Sequence, residues 1–299
     1  GVITPLKGWS IVGTFSYKRY HREKTFRSAN ITYSDAYGEM KTATTGFFSD
    51  KLRENSAVEE HYTYDLYTTY EHSVNRHNFK VLAGMNHEAY RYKLIYGAKS
   101  SLQSDYLNDL NLGTGVAEAS GGQSRWALLG FFGRGTYDYA GKYLAEVNFR
   151  WDGSSRFPKH DRWGFFPSVA LGWRISEENF MEPVRKVIDN VKLRASIGSL
   201  GNQAIADSYP YIQSLSPSLS TSYLMNGNKI YITSLGAPQS GDLTWETIIT
   251  KNLGLDLGFF GNRLTATADF YIRDTKDMLI PGKELPGVYG MASPNMNAG

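Results

Sequence analysis

The segment Lys142 to Asp152 alternates residue by residue. Tyr143, Ala145, Val147, Phe149 and Trp151 fall on one face, and Lys142, Glu146, Asn148, Arg150 and Asp152 fall on the other. Leu264, Ala266, Ala268, Phe270 and Ile272 repeat the pattern against Arg263, Thr265, Thr267, Asp269 and Arg273. So do Phe165, Val169, Leu171, Trp173 and Ile175 against Ser168, Arg174 and Ser176. Successive side chains of a strand point to opposite faces, so a period of two held over about ten residues describes a strand with one face for hydrocarbon and one for water. Repeated along the chain, this pattern reads as the wall of a transmembrane barrel.

Composition supports the pattern where it bears on lipid. The 299 residues include 21 Tyr, 15 Phe and 6 Trp at a mean hydropathy of only -0.40. Tyr and Trp in such numbers suit a boundary between lipid and water. No apolar run reaches the ~18 residues of a helical span. With no Cys, disulfides, zinc–thiolate sites and thiol catalysis are excluded. A formal charge of +3 from 32 basic and 29 acidic residues gives no footprint for nucleic acid. Gly1 opens without a leader pattern and Met296 to Gly299 reads as mid-loop, so the expectation is a piece of a longer protein.

The connections sort by length. Tight ones carry turn chemistry at Asn75–Asn78, Tyr139–Gly141 and Phe260–Arg263. Glu177 to Asn190, with Met181 and Pro183, suits a helical turn. Long polar ones fall at about Ala98–Ser124, Gly153–Trp163, Leu200–Asp242 and from Asp274 onward. Short and long alternate, as in an antiparallel barrel with short periplasmic turns and long extracellular loops. Strands are expected at Trp9–Tyr20, Val58–Val74, His77–Tyr96, Arg125–Asp138, Lys142–Asp152, Gly164–Ser176, Val191–Leu200, Thr244–Phe259 and Arg263–Thr275. Residues 21–57 then form one extracellular excursion, with extra strands suggested at Asn30–Tyr33 and Thr42–Phe48. Aromatic rims are expected from Tyr137, Tyr139, Tyr143, Phe259 and Phe260 at tight turns, and from Trp151, Phe157, Trp163 and Phe165 beside a long loop. A soluble β-sandwich shares the period of two, but its strands are shorter and its loops need not alternate in length.

Several stretches resemble, in order, the SusC/RagA group of TonB-dependent transporters from Bacteroidetes outer membranes. They are FKVLAGMNHEAYRY (Phe79 to Tyr92), YDYAGKYLAEVNFRWDGSSRFP within Phe131 to Pro158, WGFFPSVALGWRISEENFM (Trp163 to Met181), VKLRASIGSLGNQ (Val191 to Gln203), and the run Thr244 to Leu279. The resemblance implies an all-β protein, an antiparallel transmembrane β-barrel of which about nine to eleven strands lie here and about 22 in the parent, closed around a plug. It also implies a TonB-contacting segment reaching the TonB–ExbB–ExbD complex, a SusD-like lipoprotein over the extracellular mouth, and an oligosaccharide or peptide substrate. The plug, the TonB segment and the closing C-terminal strand are expected outside residues 1–299, which would be a partial barrel domain in outer-membrane lipid. A passive porin or a structural, adhesive barrel is the competing reading from pattern alone.

Candidate sites are few. Sugars offer apolar faces to aromatic rings and hydroxyls to polar groups, which selects Trp126 on an inner face and Tyr209, Tyr211, Tyr223 and Tyr231 in a long loop as substrate or partner contacts. Gly130, Gly133 and Gly135 continue into a strand, unlike a nucleotide-binding loop. Glycines 133, 135 and 141, and Pro158 and Pro167, are expected at strand rims and ends. Arg150, Asp152 and Arg156 are expected at a strand top, pairing across the wall. His61, His72, His77 and His87 lack metal-type spacing, Asp105 and Asp109 lack an EF-hand period, and no nucleophile elbow is present. Neither an enzyme nor a cofactor is expected.

Overall fold

The structure is a computed structural model that describes residues 1–43, 50–104, 106–185, 187–203, 208–236, 238–284, 286–290 and 293–298. Ten strands form one sheet in the order β1-β2-β5-β6-β7-β8-β9-β10-β13-β14. They are β1 (Val2–Leu6), β2 (Trp9–Ser28), β5 (Lys51–Val74), β6 (His77–Ser100), β7 (Glu118–Tyr139), β8 (Tyr143–Ser154), β9 (Trp163–Arg174), β10 (Ile188–Asn202), β13 (Glu246–Phe259) and β14 (Leu264–Lys276). Three separate hairpins join β3 (Ile31–Ser34) to β4 (Met40–Ala43), β11 (Leu215–Met225) to β12 (Asn228–Leu235), and β15 (Met278–Pro281) to β16 (Asn295–Ala298). Among the described residues no helix is long and apolar enough to cross a membrane, which has no bearing on strands.

All nine expected strands are present, and the differences are instructive. β1 was not expected. β2 and β5 run further than expected, so the excursion between them narrows to residues 29–50 around β3 and β4. Thr42 and Ala43 are in β4, while residues 44–48 of the expected strand lie outside the described residues. Leu200–Asp242 holds the β11–β12 hairpin rather than loop alone, turning on Asn226 and Gly227 with φ of 52° and 78°. Asn295 to Ala298 is a strand, where mid-loop was expected. Short 3-10 turns at Ile175–Glu177 and Asn179–Val184 match the helical turn anticipated before Asn190.

The chain divides into two compact units. The first comprises Gly1–Phe15, Tyr64–His87 and Ala127–Gly299; the second comprises Ser16–Thr63 and Glu88–Trp126. In the first, β8 and β9 pair Tyr143 with Trp173, Ala145 with Leu171, Val147 with Val169 and Trp151 with Phe165. β9 and β10 pair Val169 with Ile197, and β13 and β14 pair Leu253 with Phe270. Side chains that would be a core elsewhere stand open: Val147 is 52%, Leu171 57% and Phe270 69% exposed. Leaving such side chains in water forfeits about 1.5–3 kcal/mol each, so lipid is the medium that suits this face.

Two aromatic rims bound the band. At one end Tyr139, Tyr143, Tyr137 and Phe79 meet, with ring centroids 6.3 Å apart for Tyr139–Tyr143 and 5.0 Å for Phe79–Tyr137. At the other, Trp151 lies 4.8 Å from Trp163 and 6.0 Å from Phe131. The nine residues from Tyr143 to Trp151 make eight steps of about 3.3 Å, about 26 Å along the strand and close to the length of a tilted membrane strand. Glu178 fastens the tight-turn rim, accepting from the Tyr143 hydroxyl at 2.6 Å, Trp173 Nε1 at 3.1 Å and Lys142 Nζ at 3.3 Å. The Tyr143 hydroxyl first, and then Trp173 and Lys142, hold the Glu178 carboxyl below its ordinary pKa.

Several local expectations are corrected. Phe157 is fully buried rather than at a rim: it joins Phe166, Leu243 and Trp245 in an apolar cluster, with Leu128, Tyr211 and Leu279 packed against it. Gly133 sits mid-strand opposite Phe149, whose ring covers it, whereas Gly141 does lie in a rim turn. Pro167 is also mid-strand, yet it lies one residue past the end of the β9–β10 ladder, where its missing donor removes no bond. Arg150 pairs with Asp152 on its own strand at 2.7 Å and 2.9 Å, not across the wall. Two residues along a strand share a face, so the nearer partner wins.

Candidate lumenal site

The faces alternate through the second unit as well. Within this unit the Tyr17–Tyr62 contact at 4.8 Å lies on one face, and His61, Tyr90 and Trp126 lie on the opposite, polar face. Tyr90 and Trp126 stack with centroids 5.7 Å apart and planes 20° apart. His61 stands edge-on to both, at 6.3 Å and 6.1 Å. Its Nε2 lies 2.5 Å from Glu88 Oε1. Further along the same face Arg53 covers the Tyr96 ring at 5.4 Å, while Glu118 accepts from Tyr96 at 3.1 Å and from Lys51 at 2.7 Å. These half-exposed rings, interleaved with fixed charges, offer stacking surface and hydrogen-bonding groups together.

Trp126 is thus in a built cluster, and its partners His61, Glu88 and Tyr90 were missed. The signal was available, because residues facing each other across neighbouring strands follow from register, but no residue in isolation shows it. The loop tyrosines belong to the first unit. Tyr209 and Tyr211 meet edge-on at 6.2 Å, and Tyr211 packs on the Phe157 cluster, which gives it a structural task. Tyr223 and Tyr231 stand 68% and 73% exposed on the β11–β12 hairpin. Tyr231 pairs opposite Leu219.

The first unit's polar face is a lattice of paired charges. Arg194 of β10 forks onto Asp256 of β13 at 2.8 Å and 3.0 Å and reaches Asp269 of β14 at 3.3 Å. Its neighbours Glu71 and Lys80 pair as well. With Asp138, Glu146, Lys192 and Arg194 they line a concavity of about 590 Å³. Among the described residues one group has metal-ligand geometry, His160, Asp161 and Asp242, with ligand atoms within 4.8 Å of one another. The sequence reading missed it because Asp242 is remote in the chain. Asp109 instead caps a 3-10 turn through the Asn111 amide at 2.8 Å, and Asp105 lies outside the described residues.

The family described as TonB dependent receptor-like, beta-barrel matches residues 5–299. The chain belongs to this family. It is 35% identical over 220 residues to the TonB-dependent receptor SusC of Bacteroides thetaiotaomicron, a match covering 73% of this chain and 21% of that protein. It is 32% identical over 235 residues to TonB-dependent receptor P3 of Formosa agariphila, covering 78% and 23%. The chain therefore spans roughly a fifth of the relatives it matches. In fold it is similar to a solved structure of the RagAB peptide transporter, with a TM-score of 0.83 at 24% identity over 99% of this chain and 31% of the other. The sheet is accordingly a portion of a TonB-dependent receptor barrel, the membership that the ordered segments had implied. Members of this outer-membrane family are transporters and not enzymes.

Proposed function

We propose that this chain is part of the wall of an outer-membrane active transporter that imports glycans or peptides with a SusD-like lipoprotein, energised by TonB–ExbB–ExbD. The observation that carries it is the two-faced sheet of the first unit: an apolar band between aromatic rims on one side, and a face of paired charges on the other. A passive pore would not require the TonB-type wall that the family match supports. The likeness to SusC and to a peptide transporter supports an oligomeric substrate, a saccharide or a peptide. The concavity lined by Glu71, Lys80, Asp138, Glu146, Lys192 and Arg194 suits a plug supplied by the same protein, because a barrel of about 22 strands is plugged.

On this reading Trp126, Tyr90, His61 and Glu88 form a wall subsite where a sugar ring or an aromatic peptide side chain stacks on the Trp126–Tyr90 pair. On the same reading the exposed Tyr223 and Tyr231 would contact a capping partner, and Tyr209, edge-on to Tyr211, would help pack the loop. Uptake of labelled oligosaccharides and peptides by cells carrying the full-length protein tests the function. Uptake should collapse when a protonophore removes the energy source, and uptake that persists would return the porin reading. An epitope at Asn226 and Gly227 should be reached by antibody on intact cells, and one at Gly261 and Asn262 only after permeabilisation. The reverse pattern would invert the topology.

A further inference from the structure

Three side chains from two remote segments of the first unit converge on one spot. His160 and Asp161 lie in the connection between β8 and β9, and Asp242 lies shortly before β13. Each offers one donor atom, an imidazole nitrogen or a carboxylate oxygen, and these atoms all lie within 4.8 Å of one another. His160 Nε2 stands 3.0 Å from Asp161 Oδ2. Ligands held about 2.1 Å from a tetrahedral ion stand about 3.4 Å apart. His160 and Asp242 are exposed, so a small rotation of their side chains closes the set.

The backbone that carries these groups is fixed on both segments. The Thr244 hydroxyl donates to the Asp161 carbonyl at 3.3 Å, and Trp245 Nε1 donates to the Arg162 carbonyl at 2.9 Å. The Asp161 amide donates to the Pro158 carbonyl at 3.2 Å, and the Ser154 amide to the Arg162 carbonyl at 3.1 Å. Leu243, directly after Asp242, and Phe157, three residues before His160, are buried in the same apolar cluster. The fold itself therefore brings the two aspartates together, some eighty residues apart in the chain.

Charge and donor chemistry point to what would sit between them. Two carboxylates this close repel each other, and a neutral imidazole does not offset them. Among the described residues the Asp242 carboxylate has no hydrogen bond or ion pair, and that of Asp161 has His160 alone. Lys159 and Arg162 flank the pair in sequence, yet among the described residues neither forms an ion pair with either aspartate. A divalent cation would balance the two charges. Calcium and magnesium take oxygen ligands, whereas an imidazole beside carboxylates suits zinc and its first-row neighbours. Three protein ligands leave a fourth position for water.

We propose that His160, Asp161 and Asp242 form a divalent transition-metal site of the zinc class, which staples the connection before β9 to the segment before β13. The site is independent of the transported substrate and of the membrane assignment. The competing arrangement is a hydrogen-bonded His160–Asp161 pair with Asp242 close by and no shared ion.

The test uses the full-length protein in detergent, stripped with a chelator and titrated with zinc chloride by calorimetry. Zinc affinity should drop by more than about tenfold in each of His160→Gln, Asp161→Asn and Asp242→Asn, since even an outer partner of a metal ligand is worth about that much. Asp242→His exchanges one zinc ligand for another and should keep the binding. His72→Gln, which alters a histidine on β5, should change nothing. Zinc should also slow hydrogen exchange in residues 155–162 and 242–245 together. Equal zinc binding by the parent and Asp242→Asn overturns the proposal, and so does calcium binding as tight as zinc binding. Exchange slowed in residues 155–162 alone sinks the staple and leaves the His160–Asp161 pair as the whole feature. The exchange measurement needs no variant, so it decides the matter even where a substitution unfolds the protein.

Discussion

The two compact units are written in different chemical languages although the same strands pass through both. In the first, β8, β9, β10, β13 and β14 alternate cleanly between an apolar side and a charged side. In the second, β2, β5, β6 and β7 carry polar groups on both sides, as with Arg19 and His21 on one and Lys51, Arg53 and Glu118 on the other. Strand length explains the difference. β8 and β9 have 12 residues each, close to what a tilted membrane strand needs, whereas β5 and β6 have 24. Residues beyond the bilayer's thickness meet water on both sides, and their sequence is released from the apolar constraint. The surrounding medium, more than the sheet itself, decides which pattern a strand shows.

The sharpest way to break this comparison is a charge placed on each face of one strand. Val147→Arg, mid-band on the apolar side, should cost about 2–4 kcal/mol in reversible unfolding from lipid, while Asn148→Arg next to it should cost far less. Equal losses would dissolve the distinction between the faces. Next in size is Gly201→Ala. An added Cβ would stand 2.1 Å from the Phe166 ring, and overpacking of this kind costs about 1–3 kcal/mol by the same measurement. Smaller again is Trp126→Ala, which should lower uptake roughly two- to tenfold through lost stacking while leaving unfolding unchanged. A stability loss instead would make Trp126 a packing residue.

The smallest effect concerns the tight-turn rim. The Glu178 carboxyl is held below its ordinary pKa by Tyr143, Trp173 and Lys142, so the folded state favours the charged form. That contribution is fully present above the unfolded value of about 4.3 and is lost as pH falls through the lower folded value. Tyr143 and Trp173 fluorescence should therefore report a loosened rim only under strong acid. Glu178→Gln should remove this acid transition without abolishing the fold. A transition unchanged in the variant would mean that another group drives it.

The wall was legible because a period of two and tight-turn chemistry are local signals, carried by runs such as Tyr143 to Trp151 and by Tyr139–Gly141. The extensions of β2 to Ser28 and of β5 back to Lys51 were not, because strands with water on both sides lose alternation. The β11–β12 hairpin had the strongest short hairpin signal in the chain, Asn226–Gly227, but its flanks are weakly alternating and were read as loop. Phe157 was assigned to a rim by proximity to Trp151 and Trp163. Its burial depends on Leu243 and Trp245, some eighty residues away, and no local window contains them. The site divides the same way: Trp126 was found by face and residue type, while His61, Glu88 and Tyr90 required register.

The Phe157 cluster also ties two connections together. Trp245 Nε1 donates to the Arg162 carbonyl at 2.9 Å, and the Thr244 hydroxyl donates to the Asp161 carbonyl at 3.3 Å. The segment before β9 and the segment before β13 thus share a single apolar knot with a polar clasp. Two connections fastened this way lose their separate freedom and respond as one lever: a push on either is felt by both. Substitutions in residues 155–162 would need matching changes around Leu243, so these remote stretches of the gene would drift together rather than independently.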